Sequence, residues 1–474
     1  MKNRFNRLIS KEWLPFQKSW FRYESEEKLL TENIRFFNKA EISKSVMLYA
    51  GKDTELAREI CIDHDIEFRD VKNYAGEPVQ FAVFDLRHRI TEKPSLDEYT
   101  AIRDEMIRLA LQIYPNVEHK RFISVWIPNI QKGDAYFPFA WDLAKHLGQI
   151  FSLKDEKIAC METATDPAPG PVYQPGKQIF YCLYFKKDDH STGEYQNTQY
   201  RFFENNCQQQ GRIEFGSRIP SWFILKPQPR KKKEILHPAK YPEDLVSMFV
   251  ETFSREGDNV FDPMTGTGST QLGALQLGRN GYGTELSEFF AAIAHERCRD
   301  FVAPLQKDLF ATEKKLDFRI LQKDARRIGK KDFPPVDYLL TSPPYWDMLN
   351  MKGAENQAKR IQKGLQTNYS DNLDDLGNIA DYQAFVHELT QIYFSLIPLL
   401  KPGSFITIVV KNIKKKGRNY PFAWDLAHAL QEKLILLPEV FWCQDDISIA
   451  PYGYGNTWVS NTFHQYCLTF QVPE

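Results

Sequence analysis

The chain has 474 residues, 42% hydrophobic and 14% aromatic, too long for one ordinary core and well supplied for two. Its 61 basic and 62 acidic side chains leave a formal net charge of −1, so any footprint for nucleic acid must be local rather than global. Seven scattered cysteines without a C-x-x-C pair argue against a zinc site or a disulfide framework, and no metal is expected.

The N-terminus, Met1-Lys-Asn-Arg-Phe-Asn-Arg, lacks the apolar core of a signal peptide, and no apolar run is long enough to span a bilayer. A cytoplasmic protein is expected. Apolar runs at Val46–Ala50 and Pro78–Asp85 predict buried strands. A helical pattern at Leu96–Tyr114 is followed by a strand at Phe122–Ile127, a helix opening near Pro138, and two closing strands.

The heptapeptide P-F-A-W-D-L-A occupies Pro138–Ala144 and returns at Pro421–Ala427, 283 positions later. The same spacing carries Tyr99 onto Tyr382, Glu105 onto Glu388, Phe122-Ile123 onto Phe405-Ile406 and Asn129-Ile130 onto Asn412-Ile413. Tyr181-Cys182-Leu183 resembles Tyr466-Cys467-Leu468 after a small shift. The second unit has a predicted helix at Ile379–Leu396, a turn at Lys401-Pro-Gly-Ser and a strand at Phe405–Val410. Upstream, Val46–Asp53 matches the segment at Val260 and Pro78–Asp85 the segment at Pro335, though the first copy lacks its acid and glycines. Strands alternating with helices imply a mostly parallel α/β sheet in each unit. The predicted divisions are 1–187, a linker or docking segment 188–236, and 237–474.

In the second unit, Asn259-Val-Phe ends in Asp262, followed by Pro263-Met-Thr-Gly-Thr-Gly-Ser-Thr. Gly266 and Gly268 permit a tight turn into a helix whose free N–H groups face a ligand. Glu285, ending the next strand, suits both hydroxyls of a ribose. Asp324, after a third, suits an adenine amine. No Walker lysine is present, so phosphates are not the expected cargo. At Thr341-Ser342-Pro343-Pro344-Tyr345-Trp346 a hydroxyl, a proline-fixed carbonyl and an aromatic face stand at another strand end.

These segments resemble the amino-methyltransferases that modify DNA bases with S-adenosylmethionine. Asp262–Thr270 is similar to that family's D-P-F-x-G-x-G-[ST]-T, with Met264 in place of the usual Phe. His237-Pro238-Ala-Lys240-Tyr-Pro-Glu-Asp-Leu resembles its H-P-A-K-x-P-x-x-L, and Ser342–Tyr345 its [DNS]-P-P-[YFW]. The resemblance covers about residues 237–474. It implies a Rossmann-like class I methyltransferase fold preceded by a degenerate methyltransferase-like α/β repeat. It also implies a cofactor site of His237, Pro238, Lys240, Asp262, Pro263, Thr265, Gly266, Gly268, Thr270, Glu285 and Asp324, and a catalytic set of Ser342, Pro343, Pro344 and Tyr345 acting on a flipped base. Serine at the first catalytic position, between Thr341 and Trp346, resembles the cytosine-N4 branch more than the adenine-N6 branch. A non-catalytic nucleic-acid-binding protein on the same fold is the alternative of another class.

The expected partner is double-stranded DNA, with a cognate restriction endonuclease or defence-system protein as a further possibility. Lys414, Lys415, Lys416 and Arg418 after the strand at Phe405–Val410, and Lys352 and Arg360 in a polar loop, are the predicted phosphate contacts. The first copy is expected to supply half of a DNA cleft.

Overall fold

The computed structural model describes residues 6–38, 45–90, 95–132, 135–162, 179–196, 219–226, 242–305, 316–344, 346, 375–445 and 459–474. They form two sheets, one from each repeat unit.

The first sheet contains β1 (Trp20–Arg22), β2 (Val46–Ala50), β3 (Phe68–Asp70), β4 (Val79–Asp85), β5 (Val117–Ile127), β8 (Ser152–Cys160) and β9 (Ile179–Lys186), in the order β1-β8-β9-β5-β4-β2-β3. β6 (Ile130–Lys132) and β7 (Ala135–Phe137) form a separate hairpin. The second sheet contains β10 (Trp222–Ile224), β11 (Asn259–Asp262), β12 (Asn280–Glu285), β13 (Phe318–Gln322), β14 (Val336–Thr341), β15 (Leu400–Val410), β19 (Val440–Cys443) and β20 (His464–Gln471). Their order is β10-β19-β20-β15-β14-β11-β12-β13, with β18 (Ile435–Leu436) added on β20. Here too a hairpin, β16 (Ile413–Lys415) and β17 (Arg418–Tyr420), stands apart.

In each sheet one strand, β9 or β20, runs antiparallel to its main neighbours and the rest of the path is parallel. The orders coincide strand for strand, except that β13 has no counterpart in the first sheet. This is the strand order of the Rossmann-like class I methyltransferase fold, present twice. The parallel strands are covered on both faces, which is why β4, V-Q-F-A-V-F-D, is buried along its whole length.

The helices are α1 (Ser10–Phe16), α2 (Glu26–Phe37), α3 (Thr54–Asp63), α4 (Leu96–Ile113), α5 (Phe139–Ile150), α6 (Glu243–Phe253), α7 (Ser269–Gln276), α8 (Glu288–Leu305), α9 (Tyr382–Leu396) and α10 (Phe422–Leu430). α4 begins with a reciprocal cap between Ser95 and Glu98, and α9 with the Asp381 carboxylate accepting the Ala384 N–H. Both predicted helices thus end or start within a few residues of expectation. β5 and β15 are longer than expected. Lys401-Pro-Gly-Ser is not a free turn but the irregular opening of β15, because Leu400 already pairs with Val336. Gly403 there has φ +75°, and its counterpart Lys120 has φ +67°. A lysine in that left-handed conformation costs about 1–2 kcal/mol that glycine avoids.

One apolar cluster runs through both units, with Trp141 and Trp424 at its centre. These two tryptophans, the same position of the repeated heptapeptide, stack with ring centroids 6.2 Å apart and planes 16° apart. Each donates its indole N–H to a tyrosine of its own unit, Tyr181 or Tyr466, at 2.9 Å. Trp20 donates to the Gln444 carbonyl and Trp222 to that of Met161, 283 positions before it. The units therefore face each other across a pseudo-twofold axis. Among the described residues no helix is long and apolar enough to cross a membrane.

Candidate active site

β11 and β14 are adjacent parallel strands, and their C-terminal ends are tied together by side chains. The Asp262 carboxylate, 2% exposed, accepts from Thr341 Oγ1 at 2.6 Å, Thr270 Oγ1 at 3.0 Å and the Met264 N–H at 2.9 Å. Thr270 also contacts the Leu340 carbonyl. Asp262 thus holds the glycine turn and the strand leading into Ser342 as one unit. Thr265 donates to the Asp262 carbonyl and accepts from Gln271, and Thr270 is fully buried, so these expected cofactor residues also brace the turn itself.

The turn itself is open to a ligand. Gly266 and Gly268 have φ +54° and +79°, and Gly268 caps α7. A Cβ on Gly268 would lie 2.9 Å from that of Ala294. The turn rests on β12 because Gly283 has no side chain; a Cβ there would lie 2.1 Å from Thr265 Oγ1. Thr284 completes the seat by donating to the Pro263 carbonyl at 2.7 Å. Gly283, Thr284 and Gln271 were not anticipated. The signal for them was the alternating Gly281-Tyr-Gly in a strand, a mark of close backbone approach.

Glu285 ends β12 and accepts from the Gly266 N–H at 2.8 Å and the Ser287 N–H at 3.0 Å. Burial pushes its pKa up to about 7, with repulsion from Asp262 and Asp375 adding to the rise and the two backbone N–H groups opposing it. A carboxyl poised near neutrality at the mouth of a glycine turn favours a ligand that brings hydroxyl donors. The nucleoside part of S-adenosylmethionine fits that demand: Gly266 and Gly268 would allow its approach and Glu285 would accept from the ribose hydroxyls.

Asp324 follows β13, and both its oxygens contact the Arg326 guanidinium, at 3.0 and 2.6 Å, and the Arg326 N–H. Burial opposes ionisation, but the Arg326 contacts prevail and lower its pKa. An adenine amine at Asp324 would share the carboxylate with Arg326, whose contacts also brace the loop after β13.

Ser342 donates its hydroxyl proton to the Val409 carbonyl of neighbouring β15 at 3.0 Å. With that proton committed, the outward lone pairs of Oγ can only accept. Pro343 is buried and Pro344 half-buried beside it. Trp346 donates to the Ile379 carbonyl and packs against Tyr382 and Tyr420. The Lys415 ammonium lies 3.9 Å from its ring centroid, which brings the β16–β17 hairpin to the edge of the site. Lys414 does not face outward: its ammonium is held by Asp155 at 2.7 Å and the Ser460 carbonyl at 2.8 Å, so its assignment as a phosphate contact is corrected to a bond between units. Lys416 and Arg418 are exposed. Tyr345, His237, Pro238, Lys240, Lys352 and Arg360 lie outside the described residues.

Among the described residues, the corresponding strand ends of the first unit are occupied by side chains. Strand register matches Met47 with Val260, hence Tyr49 with Asp262 and Asp85 with Ser342. Tyr49 is fully buried, and Arg87 spans Asp85 and Glu26 at 2.7 and 2.6 Å, filling the strand ends with an ion-pair cluster.

A family profile described as DNA methylase matches residues 90–296, less than half of the chain. The match joins the later half of the first unit to β11, α7 and β12 of the second. Over 92 residues the chain is 37% identical to the orphan methyltransferase M.BamHII of Bacillus amyloliquefaciens, covering 19% of this chain and 35% of that protein. Over 75 residues it is 31% identical to the type II methyltransferase M.BglII of Bacillus subtilis, covering 16% and 21%. Over 76 residues it is 33% identical to the type II methyltransferase M.MjaI of Methanocaldococcus jannaschii, covering 16% and 25%. The chain spans about a third or less of the length of these curated relatives. The fold is that of the class I methyltransferases, and over these stretches the chain is similar to DNA methyltransferases.

Proposed function

We propose that this protein methylates the exocyclic amine of a flipped base in double-stranded DNA, cytosine N4 in first place. The observation that carries the reading is the 2.6 Å bond between Asp262 and Thr341, which sets the glycine turn and Ser342 side by side. When bound, S-adenosylmethionine supplies a methyl group activated by a sulfonium. Glu285, Gly266 and Gly268 hold the nucleoside. Ser342 Oγ and the Pro343 carbonyl accept from the two amine hydrogens, which turns the amine lone pair outward for in-line attack. Tyr345 supplies the stacking face for the extruded base. The second unit is the catalytic one, and the first, with its strand ends filled by Arg87 and Tyr49, is silent. Serine at position 342 favours cytosine; adenine N6 is the competing outcome.

The test is transfer of labelled methyl groups from S-adenosylmethionine to duplex DNA. Wild type is expected to transfer, and Ser342→Ala to bind the cofactor normally while losing at least ~100-fold in rate. Equal rates for the two would remove Ser342 from the chemistry.

A further inference from the structure

The two edges related by the pseudo-twofold axis should look alike, and in charge they do not. The edge under the β16–β17 hairpin carries Lys120, Lys154, Lys186 and Arg418 where the far edge has Gly403, Leu437, Gln471 and Ala135, although Glu118 stands there against Lys401 and Lys415 against Lys132. Lys154 lies under the β16–β17 turn, donating to the Gly417 carbonyl at 2.5 Å and pairing with Asp188 at 2.6 Å. Arg418 approaches His190 of the first unit at 3.5 Å. Lys186 is buried, and its pKa falls to about 8 through burial, with Lys154 and Lys120 repelling it and Asp188 opposing. Lys154 and Arg418 thus bring cations of both units together at the β16–β17 turn, whose Lys415 reaches Trp346. The acids near this edge include Asp188, spent on Lys154 and Ser152, exposed Asp189 near His119, Glu118 paired with Arg121, and Asp425, paired with Lys145, and Glu432 in the cavity beside Arg418.

Lys120 supplies the second observation. It is exposed and holds φ +67°, where the other unit places Gly403 at +75°. At this position the other unit has the strain-free residue, so the lysine brings a charge that the matched site lacks.

We infer that the DNA backbone tracks a basic seam built from both units, with Lys120 of the first and Lys416 and Arg418 of the second as its phosphate contacts. The inference rests on the DNA reading above. The first unit thereby holds the duplex against the second unit's pocket, and the far edge takes no DNA.

The test replaces two seam residues by those of the far edge, Lys120→Gly and Arg418→Ala together, in the full chain. Binding of a 30-base-pair duplex is measured from 50 to 300 mM salt. Each lost phosphate contact lowers the slope of log affinity against log salt by about one unit, so a drop of about two is expected. Thermal stability and S-adenosylmethionine affinity are expected to hold, because glycine relieves position 120. Gly403→Lys added to the double variant is expected to restore nothing. An unchanged slope in the double variant, or recovery through Gly403→Lys, overturns the seam while the DNA reading stands. Absence of duplex binding by wild type at 50 mM salt overturns both.

Discussion

Glu156 and Glu439, 283 positions apart, each take their hydrogen bonds from the opposite unit. Glu156 accepts from Asn412 at 2.7 Å and Tyr466 at 2.6 Å. Glu439 accepts from Asn129 at 3.0 Å, Tyr181 at 3.2 Å and Tyr136. Both are buried, and Asn129 and Asn412 in turn cap α5 and α10 through the N–H groups of Ala140 and Ala423. The relationship is self-complementary, as in a twofold dimer, but it is written into one chain.

One prediction follows from that pairing. Glu156→Gln and Glu439→Gln each turn an amide donor toward a hydroxyl or amide donor. Each is expected to lose about 1–3 kcal/mol of stability in denaturant melts. Only Glu156→Gln loosens Asn412, two residues beyond the Val410 end of β15. Methyl transfer should therefore fall in Glu156→Gln and hold in Glu439→Gln, and equal losses would show that the effect does not pass through Asn412.

Glu285 makes the cofactor site pH-dependent. Its raised folded pKa means that its linked stability is fully present below about 4.5 and lost as pH rises through about 7. In the cofactor-free protein, Glu285→Gln should be more stable than wild type at pH 8 by about 1–2 kcal/mol, allowing for partial exposure. Cofactor binding runs the other way, since hydroxyl donors need the carboxylate. Wild-type affinity for S-adenosylmethionine should weaken up to ~10-fold per pH unit below about 7, and Glu285→Gln should be weaker and flat across that range. Calorimetry from pH 5.5 to 8 reads both; a flat wild-type profile would remove Glu285 from the ribose site.

Gly283 and Gly268 are predicted to be intolerant for different reasons. A methyl at 283 collides with Thr265 and with Gln271 Nε2 at 2.3 Å, which lifts the turn off β12. A methyl at 268 meets Ala294 and forces φ +79° on a chiral residue. Each alanine variant should lose about 2–4 kcal/mol and cofactor affinity with it. Gly403→Ala, with φ +75° but nothing within 4 Å, isolates the backbone part and should lose only about 1 kcal/mol.

Asp262→Asn should keep the Thr341 and Met264 contacts through its carbonyl oxygen, with its amide donating to Thr270 Oγ1 while that hydroxyl donates to the Leu340 carbonyl, and lose less than Asp262→Ala. Removing the side chain strands the buried Thr341 hydroxyl and the Met264 N–H, while Thr270 keeps the Leu340 carbonyl, an expected cost of about 3 kcal/mol in thermal melts. Thr341→Val tests the same tie from the other strand. If Asp262→Ala melts like wild type, the bond does not hold the site together.

The duplicated fold was legible because the P-F-A-W-D-L-A helices and the apolar runs at Phe122 and Phe405 recur at one spacing. The four strand ends of the site were legible from Asp262, Glu285, Asp324 and Ser342. What was not legible is where each side chain spends its hydrogen bonds. Asp324 also binds Arg326 only two residues away, a local loop closure that motif reading passes over. Lys414 is taken by Asp155, 259 residues away, a contact that exists only because the units pair. Asp262 reads as a ligand contact by its place in a motif, and its buried carboxylate also joins two strands.

Nucleoside mass spectrometry of duplex DNA incubated with the full chain and S-adenosylmethionine is the most direct check. Wild type is predicted to produce N4-methylcytosine, and Ser342→Ala none above background. N6-methyladenine in its place would keep the pocket and reverse the base. No methylated base from a protein that binds the cofactor would contradict methyl transfer at the joined ends of β11 and β14.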